Sequence, residues 1–209
     1  MQTAALIFHW EELRLISKPL LMPALMWWFW QNTATLSPAL RRGWMAGLAL
    51  STVGDILLMG KGSNFFIGGL AAFLCAHLIY IFAIRRNVPQ KRGLLRRQPG
   101  WALPFGLFLA SFLYILWPGL QEGLRFPVAL YATVITAMTL NMVHLHGGIS
   151  VHVFRLLFIG ALLFMLSDSM IAWNMFVHPF PLAPLSIMGS YLAGQALMAR
   201  GVSLLKNRS

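Results

Sequence analysis

Long apolar stretches alternate with short basic ones along the whole chain. Residues 19–40 form the first uncharged run, and residues 43–60 form the second, with Asp55 as its one charge. Residues 62–84, 98–121 and 126–154 are uncharged, and 156–199 carries a single charge, Asp168. A helix that crosses a bilayer needs about 20 apolar residues. The last stretch is long enough for two such helices, and Pro179, Pro181 and Pro184 divide it, because proline interrupts the helical hydrogen-bond ladder. The pattern predicts an all-α, polytopic transmembrane bundle of seven full spans, forming a single domain over residues 1–209. At the N-terminus, Thr3–Trp10 is apolar but too short to cross. It lacks the basic n-region and small-residue cleavage site of a signal peptide. It reads either as an interfacial helix or as the partial end of a further span, which would make eight.

Composition agrees with a membrane protein. Of 209 residues, 58% are hydrophobic and 10% charged, against about 25% charged in a soluble domain. Mean hydropathy is +0.71. The net charge of +11 first suggests nucleic acid, but its placement argues otherwise. The basic residues sit between apolar runs, as the positive-inside rule expects. With the Arg85–Arg97 loop in the cytoplasm, 12 of the 16 basic residues fall on that side. Only Arg14, Lys18, Lys61 and Arg125 fall outside, and the C-terminus is cytoplasmic. In a bacterium the membrane would be the inner one. The basic loop lacks interleaved aromatics, so anionic lipid headgroups fit it better than nucleic acid. The one cysteine, Cys75, excludes an intramolecular disulfide.

The embedded acids are the most informative residues. Glu11, Glu12 and Glu122 lie at edges or in loops, whereas Asp55 and Asp168 lie inside apolar runs. An ionised aspartate at mid-span costs about 2.5–3.5 kcal/mol on insertion scales, so it marks a functional site by default. Both aspartates fall past the middle of their spans toward the outer face, and Lys18 opens the first full span from that face. One site of two carboxylates and an ammonium follows. Other polar residues recur at helical spacing: Ser51 one turn before Asp55, Ser167 and Ser169 beside Asp168, His77 with Tyr80, and Tyr191 with Gln195. Asn141 lies inside the fifth span. His144, His146 and His152 fall at the opposite end with no carboxylate nearby and do not make a metal site. No serine-hydrolase elbow, zinc-protease helix or phosphate-binding glycine loop is present.

Several fragments together resemble the YhhN-like lysoplasmalogenase family. They are Ser17-Lys18-Pro19-Leu20, Ser51-x-x-Gly54-Asp55-x-Leu57-Leu58-Met59, and Phe66-x-x-Gly69-x-x-x-Phe73-x-x-Ala76-His77-x-x-Tyr80. Farther on come Gly160-Ala161-x-x-Phe164-x-x-Ser167-Asp168 and Tyr191-x-x-x-Gln195. The resemblance covers roughly residues 15–200. It implies eight spans and hydrolysis of the vinyl-ether bond of lysoplasmalogens to a fatty aldehyde and a glycerophospho-base, without metal or cofactor. The embedded aspartates suit that chemistry. Protonation of the vinyl β-carbon gives an oxocarbenium-like cation, to which water adds, much as paired carboxylates act in glycoside hydrolysis. Asp168, flanked by Phe164, Met165, Leu166 and Met170, is expected to be the proton donor. Asp55 would support the cation and the water, and Lys18 would hold the phosphate. Ser51, His77, Tyr80, Asn141, Ser167, Tyr191 and Gln195 would line the substrate site.

The competing class is a small proton-coupled transporter or lipid-binding membrane protein, because intramembrane acids also serve as proton relays. No inverted repeat is evident in the sequence to favour it.

Overall fold

The computed structural model describes residues 21–88 and 93–205. The Thr3–Trp10 segment and Lys18 lie outside the described residues. The described chain is helical throughout, with no strand among these residues. Residues 21–32 form α1. It is followed by α2 (Pro38–Leu58), α3 (Ser63–Asn87) and a single-turn α4 (Leu94–Arg97). Then come α5 (Leu103–Leu116), α6 (Glu122–His144), α7 (Val151–Phe176) and α8 (Ala183–Ser203). Short 3-10 turns extend α5 at both ends, over Pro99–Ala102 and Trp117–Gly119. Among the described residues four helical segments are long and apolar enough to cross a membrane: Ser63–Asn87, Pro99–Gly119, Glu122–His144 and Val151–Phe176.

Two boundaries differ from the hydropathy pattern. Arg41 and Arg42 do not sit in a loop. Ser37 caps α2 by accepting from Leu40 N at 3.3 Å, and Pro38 opens the helix, so both arginines fall within it. A serine cap followed by proline is a strong start signal. Arg41 donates to Trp30 O at 2.8 Å and stacks 3.5 Å over the Trp30 ring, tying α1 to α2. At the other boundary, α3 runs on through Arg85 and Arg86. Positive charge in a last helical turn complements the helix dipole. The proline-rich break between α7 and α8 falls where the sequence places it, at residues 177–182.

The bundle is assembled from close pairs. Helix α2 lies along α3, α7 lies along α8, and α6 joins the pairs by packing on α3 and α7. Small residues permit the approach. Gly43 and Gly47 of α2 face Ala83 and Tyr80 of α3. On α7 and α8, Gly160 and Gly194 face each other so closely that a Cβ on Gly194 would meet Gly160 O at 2.8 Å. Trp44, Leu48, Ile84, Leu157, Phe164 and Met198 fill the centre with no exposed surface. Helix α5 is peripheral. Of its residues only Leu116 is buried.

Candidate active site

The polar pairs that the sequence spaces one turn apart are each other's partners across the bundle. Ser51 and Asp55 lie one turn apart on α2, and Tyr191 and Gln195 lie one turn apart on α8. Tyr191 Oη donates to Asp55 Oδ2 at 2.6 Å, and Gln195 Nε2 donates to Ser51 Oγ at 3.1 Å. The two rungs make an antiparallel ladder between α2 and α8. Tyr80 of α3 adds to it, its hydroxyl donating to Gln195 Oε1 at 3.3 Å. Ser51, Asp55, Tyr80, Tyr191 and Gln195 are all buried.

The second cluster surrounds Asp168. The Tyr131 hydroxyl, from α6, donates to Asp168 Oδ2 on α7. His77 Nε2, from α3, lies 3.0 Å from the same hydroxyl and 3.8 Å from Asp168 Oδ2. The Tyr131 hydroxyl has one proton, and Asp168 receives it. The His77 contact is therefore an Nε2–H donating to the phenol oxygen, which makes Nε2–H the tautomer. His77 Nδ1 is buried with no hydrogen-bond partner among the described residues.

Helix α3 supplies one residue to each cluster, because His77 and Tyr80 share a face three positions apart. Between the clusters stand two aromatic rings. Phe164 packs edge-on against His77 at 4.9 Å and Tyr191 at 5.2 Å, and Phe73 packs edge-on against Tyr191 at 6.0 Å. The two aspartates thus occupy unlike settings, with aromatic rings standing between them.

Their access differs too. Asp168 lines a pocket of about 700 Å³, counting space open to the surroundings, between α3, α5, α6 and α7. Its walls are almost wholly apolar, including Phe73, Phe108, Phe112, Ile135 and Met165. Among the described residues Asp168 is the one carboxyl on them, with the Tyr131 phenol beside it. Asp55 is not among the described residues that line this pocket. An unbranched hydrocarbon chain suits such walls, and its polar end would meet Asp168.

The remaining expected site residues fall elsewhere. Asn141 accepts from Arg85 Nε at 3.1 Å. It lies ten residues beyond Tyr131 on α6, about 15 Å along the helix, so the structure does not bring it to either cluster. Ser167 is buried and donates to Ile187 O at 2.9 Å, a bond between α7 and α8. Its neighbour Ser169 lines the pocket while bonding to Met165 O. Tyr131 is the residue that sequence reasoning missed. No polar residue stands three or four positions from it, so helical spacing carries no signal. The available cue was a lone tyrosine in the middle of an apolar run.

Comparison with known proteins adds an independent line. Residues 13–202 match the model of the YhhN family. Lysoplasmalogenase TMEM86B of Homo sapiens is 34% identical over 151 residues, covering 72% of this chain and 59% of its own length. The Rattus norvegicus TMEM86B is 30% identical over 191 residues, covering 90% of this chain and 72% of its own. A lysoplasmalogenase of Mycobacterium tuberculosis (strain CDC 1551 / Oshkosh) is 31% identical over 167 residues, 77% of this chain and 60% of its own. The chain therefore spans about three fifths of the length of the human and mycobacterial relatives. No solved structure matches it significantly.

Proposed function

The chain belongs to the YhhN family, and on that premise we propose that it is a membrane-embedded lysoplasmalogenase. It hydrolyses the vinyl-ether bond of a lysoplasmalogen to a fatty aldehyde and a glycerophospho-base. The observation that carries this reading is one carboxyl, Asp168, held by Tyr131 and His77 at the wall of a largely apolar pocket. The names of its relatives support the same activity.

The geometry suggests an order of events. The alkenyl chain enters the apolar pocket and brings its double bond to Asp168. The scheme starts from Asp168 as the protonated acid. Tyr131 occupies Oδ2, which leaves Oδ1 to carry the proton. Asp168 transfers that proton to the vinyl β-carbon, and the π electrons form the new C–H bond. The α-carbon and ether oxygen then share the positive charge, and the new Asp168 carboxylate faces it. Water adds to the α-carbon and returns a proton to Asp168. The resulting hemiacetal then collapses: its hydroxyl proton passes to the glycerol oxygen, the C–O bond to that oxygen breaks to release the alcohol, and the aldehyde C=O forms. Tyr131 keeps the carboxyl oriented, and His77 fixes Tyr131. Asp55 works behind Tyr191, supporting the cation through the aromatic layer rather than touching the chain. Lys18, outside the described residues, remains a candidate phosphate contact. No metal or cofactor takes part in this scheme.

Seven full spans with a partial N-terminal one, forming a single transmembrane domain with a cytoplasmic C-terminus, complete the reading. The test is aldehyde release by purified protein in detergent. A lysoplasmalogen should be cleaved without any ion gradient, and its saturated ether analogue should not. Absence of turnover with gradient-driven uptake in vesicles would instead favour the transporter.

A further inference from the structure

A second hollow adjoins the pocket at Asp168. This lies at the end of the bundle where α2 and α7 finish and α3, α6 and α8 begin. Leu58, Phe66, Ile171 and Phe176 line both spaces. The second hollow is larger, about 1180 Å³ counting open space, and its walls change in character. Gly60, Gly62, Ser63, Gln121 and Asn174 supply backbone, hydroxyl and amide groups. Asn174 accepts from Phe180 N through Oδ1 at 3.3 Å, which leaves its Nδ2 side to donate. Among the described residues no carboxylate lines this hollow.

Two cations flank it. Lys61 is exposed and stands between the lining residues Gly60 and Gly62 in the α2–α3 turn. Arg125 follows lining Leu124 and stands one turn after lining Gln121. Its guanidinium lies 5.3 Å over the Trp117 ring and 3.9 Å from the Glu122 carboxylate, which is itself 93% exposed and so well screened. Arg125 Nε is buried without a hydrogen-bond partner among the described residues. Helices α3, α6 and α8 also start around this hollow, none with a side-chain cap. Their positive ends add to the field of the two cations.

The two adjoining spaces therefore pass from a hydrocarbon wall, by a single carboxyl, to a cation-flanked polar mouth. Asn174 lies six residues beyond Asp168 on α7, about 9 Å along the helix axis. That offset suits the glycerol and phosphate of a lipid whose cleaved bond sits at Asp168. We infer that this vestibule binds the phosphodiester headgroup of a single-chain lipid, with Lys61 and Arg125 as its cations and Asn174 and Gln121 as hydrogen-bond contacts. The inference rests on the proposed position of the substrate bond at Asp168.

Binding of a lipid that cannot be cleaved tests it apart from catalysis. The probe is a saturated-ether lysophospholipid, compared with the alkylglycerol of the same chain, which lacks the phosphate. The Lys61→Ala, Arg125→Ala double variant should bind the phospholipid about tenfold more weakly and the alkylglycerol as the unaltered protein does. Unchanged alkylglycerol binding also reports an intact pocket. Arg125 packs on Trp117, so Lys61→Glu alone, on an exposed turn, serves as the second variant with the same expected selectivity. Equal loss for both lipids, or no loss for either, overturns the inference. Glycerophosphocholine should displace the phospholipid from the unaltered protein, and inorganic phosphate at equal concentration should not. Displacement by inorganic phosphate as strong as by glycerophosphocholine would overturn the headgroup assignment in favour of a free-anion site. Failure of the vinyl-ether reading shows separately, as an absence of aldehyde from a lysoplasmalogen that nevertheless binds.

Discussion

Replacing Tyr131 with phenylalanine removes one oxygen and keeps the ring that walls the pocket. That oxygen has two partners in the structure, Asp168 Oδ2 and His77 Nε2. His77 has no exposed surface, so its Nε2–H would lose its partner without gaining water. An unsatisfied buried group costs about 1–3 kcal/mol, and a hydrogen bond to a charged group is worth about 1.5–3 kcal/mol. In the proposed mechanism the second bond matters most after proton transfer, when Asp168 is a carboxylate beside the developing cation. Losing it from the transition state lowers kcat by about 10- to 150-fold, at 1.36 kcal/mol per tenfold. KM for lysoplasmalogen should change little, because the apolar wall is intact. The assay is aldehyde release over a range of substrate concentrations, with melting temperature in detergent beside it. Tyr114→Phe, on an 83% exposed side chain, is the neutral control. Activity of Tyr131→Phe within twofold of the unaltered protein, or a loss confined to KM, would refute the role assigned to this hydroxyl.

Three further outcomes follow. If proton transfer to carbon limits the rate, turnover in deuterated water slows severalfold, and an acyl ester of equal size is not cleaved; equal cleavage of the ester would mark a lysophospholipase. Gly194→Val places a side chain where even a Cβ meets Gly160 O at 2.8 Å and Phe164 N at 2.9 Å. Such overpacking costs about 1–3 kcal/mol or more, read as a lower melting temperature, and an unchanged one would contradict the close α7–α8 contact. A reporter fused after Ser209 should be active only in the cytoplasm, and external activity would reverse the orientation drawn from the basic residues.

Much of this arrangement is legible in hydropathy and spacing. The apolar runs at 43–60, 62–84, 98–121 and 126–154 and the two parts of 156–199 correspond to α2, α3, α5, α6, α7 and α8, and Pro179 and Pro181 fall in the break between the last two. The helical pairs Ser51/Asp55 and Tyr191/Gln195 interlock, which spacing hints at by putting each pair on one face. Spacing says nothing, however, about which faces meet. That depends on how α3 packs on α6, and it is why Tyr131 passes unnoticed although it touches Asp168. It is equally why Asn141, alike in sequence character, pairs instead with Arg85 at the other end of α6. The uneven access of the two aspartates has the same origin. Both are single acids in apolar runs, but the gap left by α5 opens beside α7 and exposes Asp168 to the pocket.

The central claim is that Asp168 donates the proton, and the most direct measurement pairs rate with stability for Asp168→Asn. The amide keeps the size and the acceptor for Tyr131 but has no proton to give. Positioned acid–base groups contribute about 10²–10⁴-fold, so kcat for aldehyde release should fall at least about 100-fold while the melting temperature in detergent holds. Asp55→Asn, measured alongside, should also lose activity, and the double variant should be little worse than the worse single, because groups acting as a unit are not additive. Near-full aldehyde release by a folded Asp168→Asn protein would contradict the account.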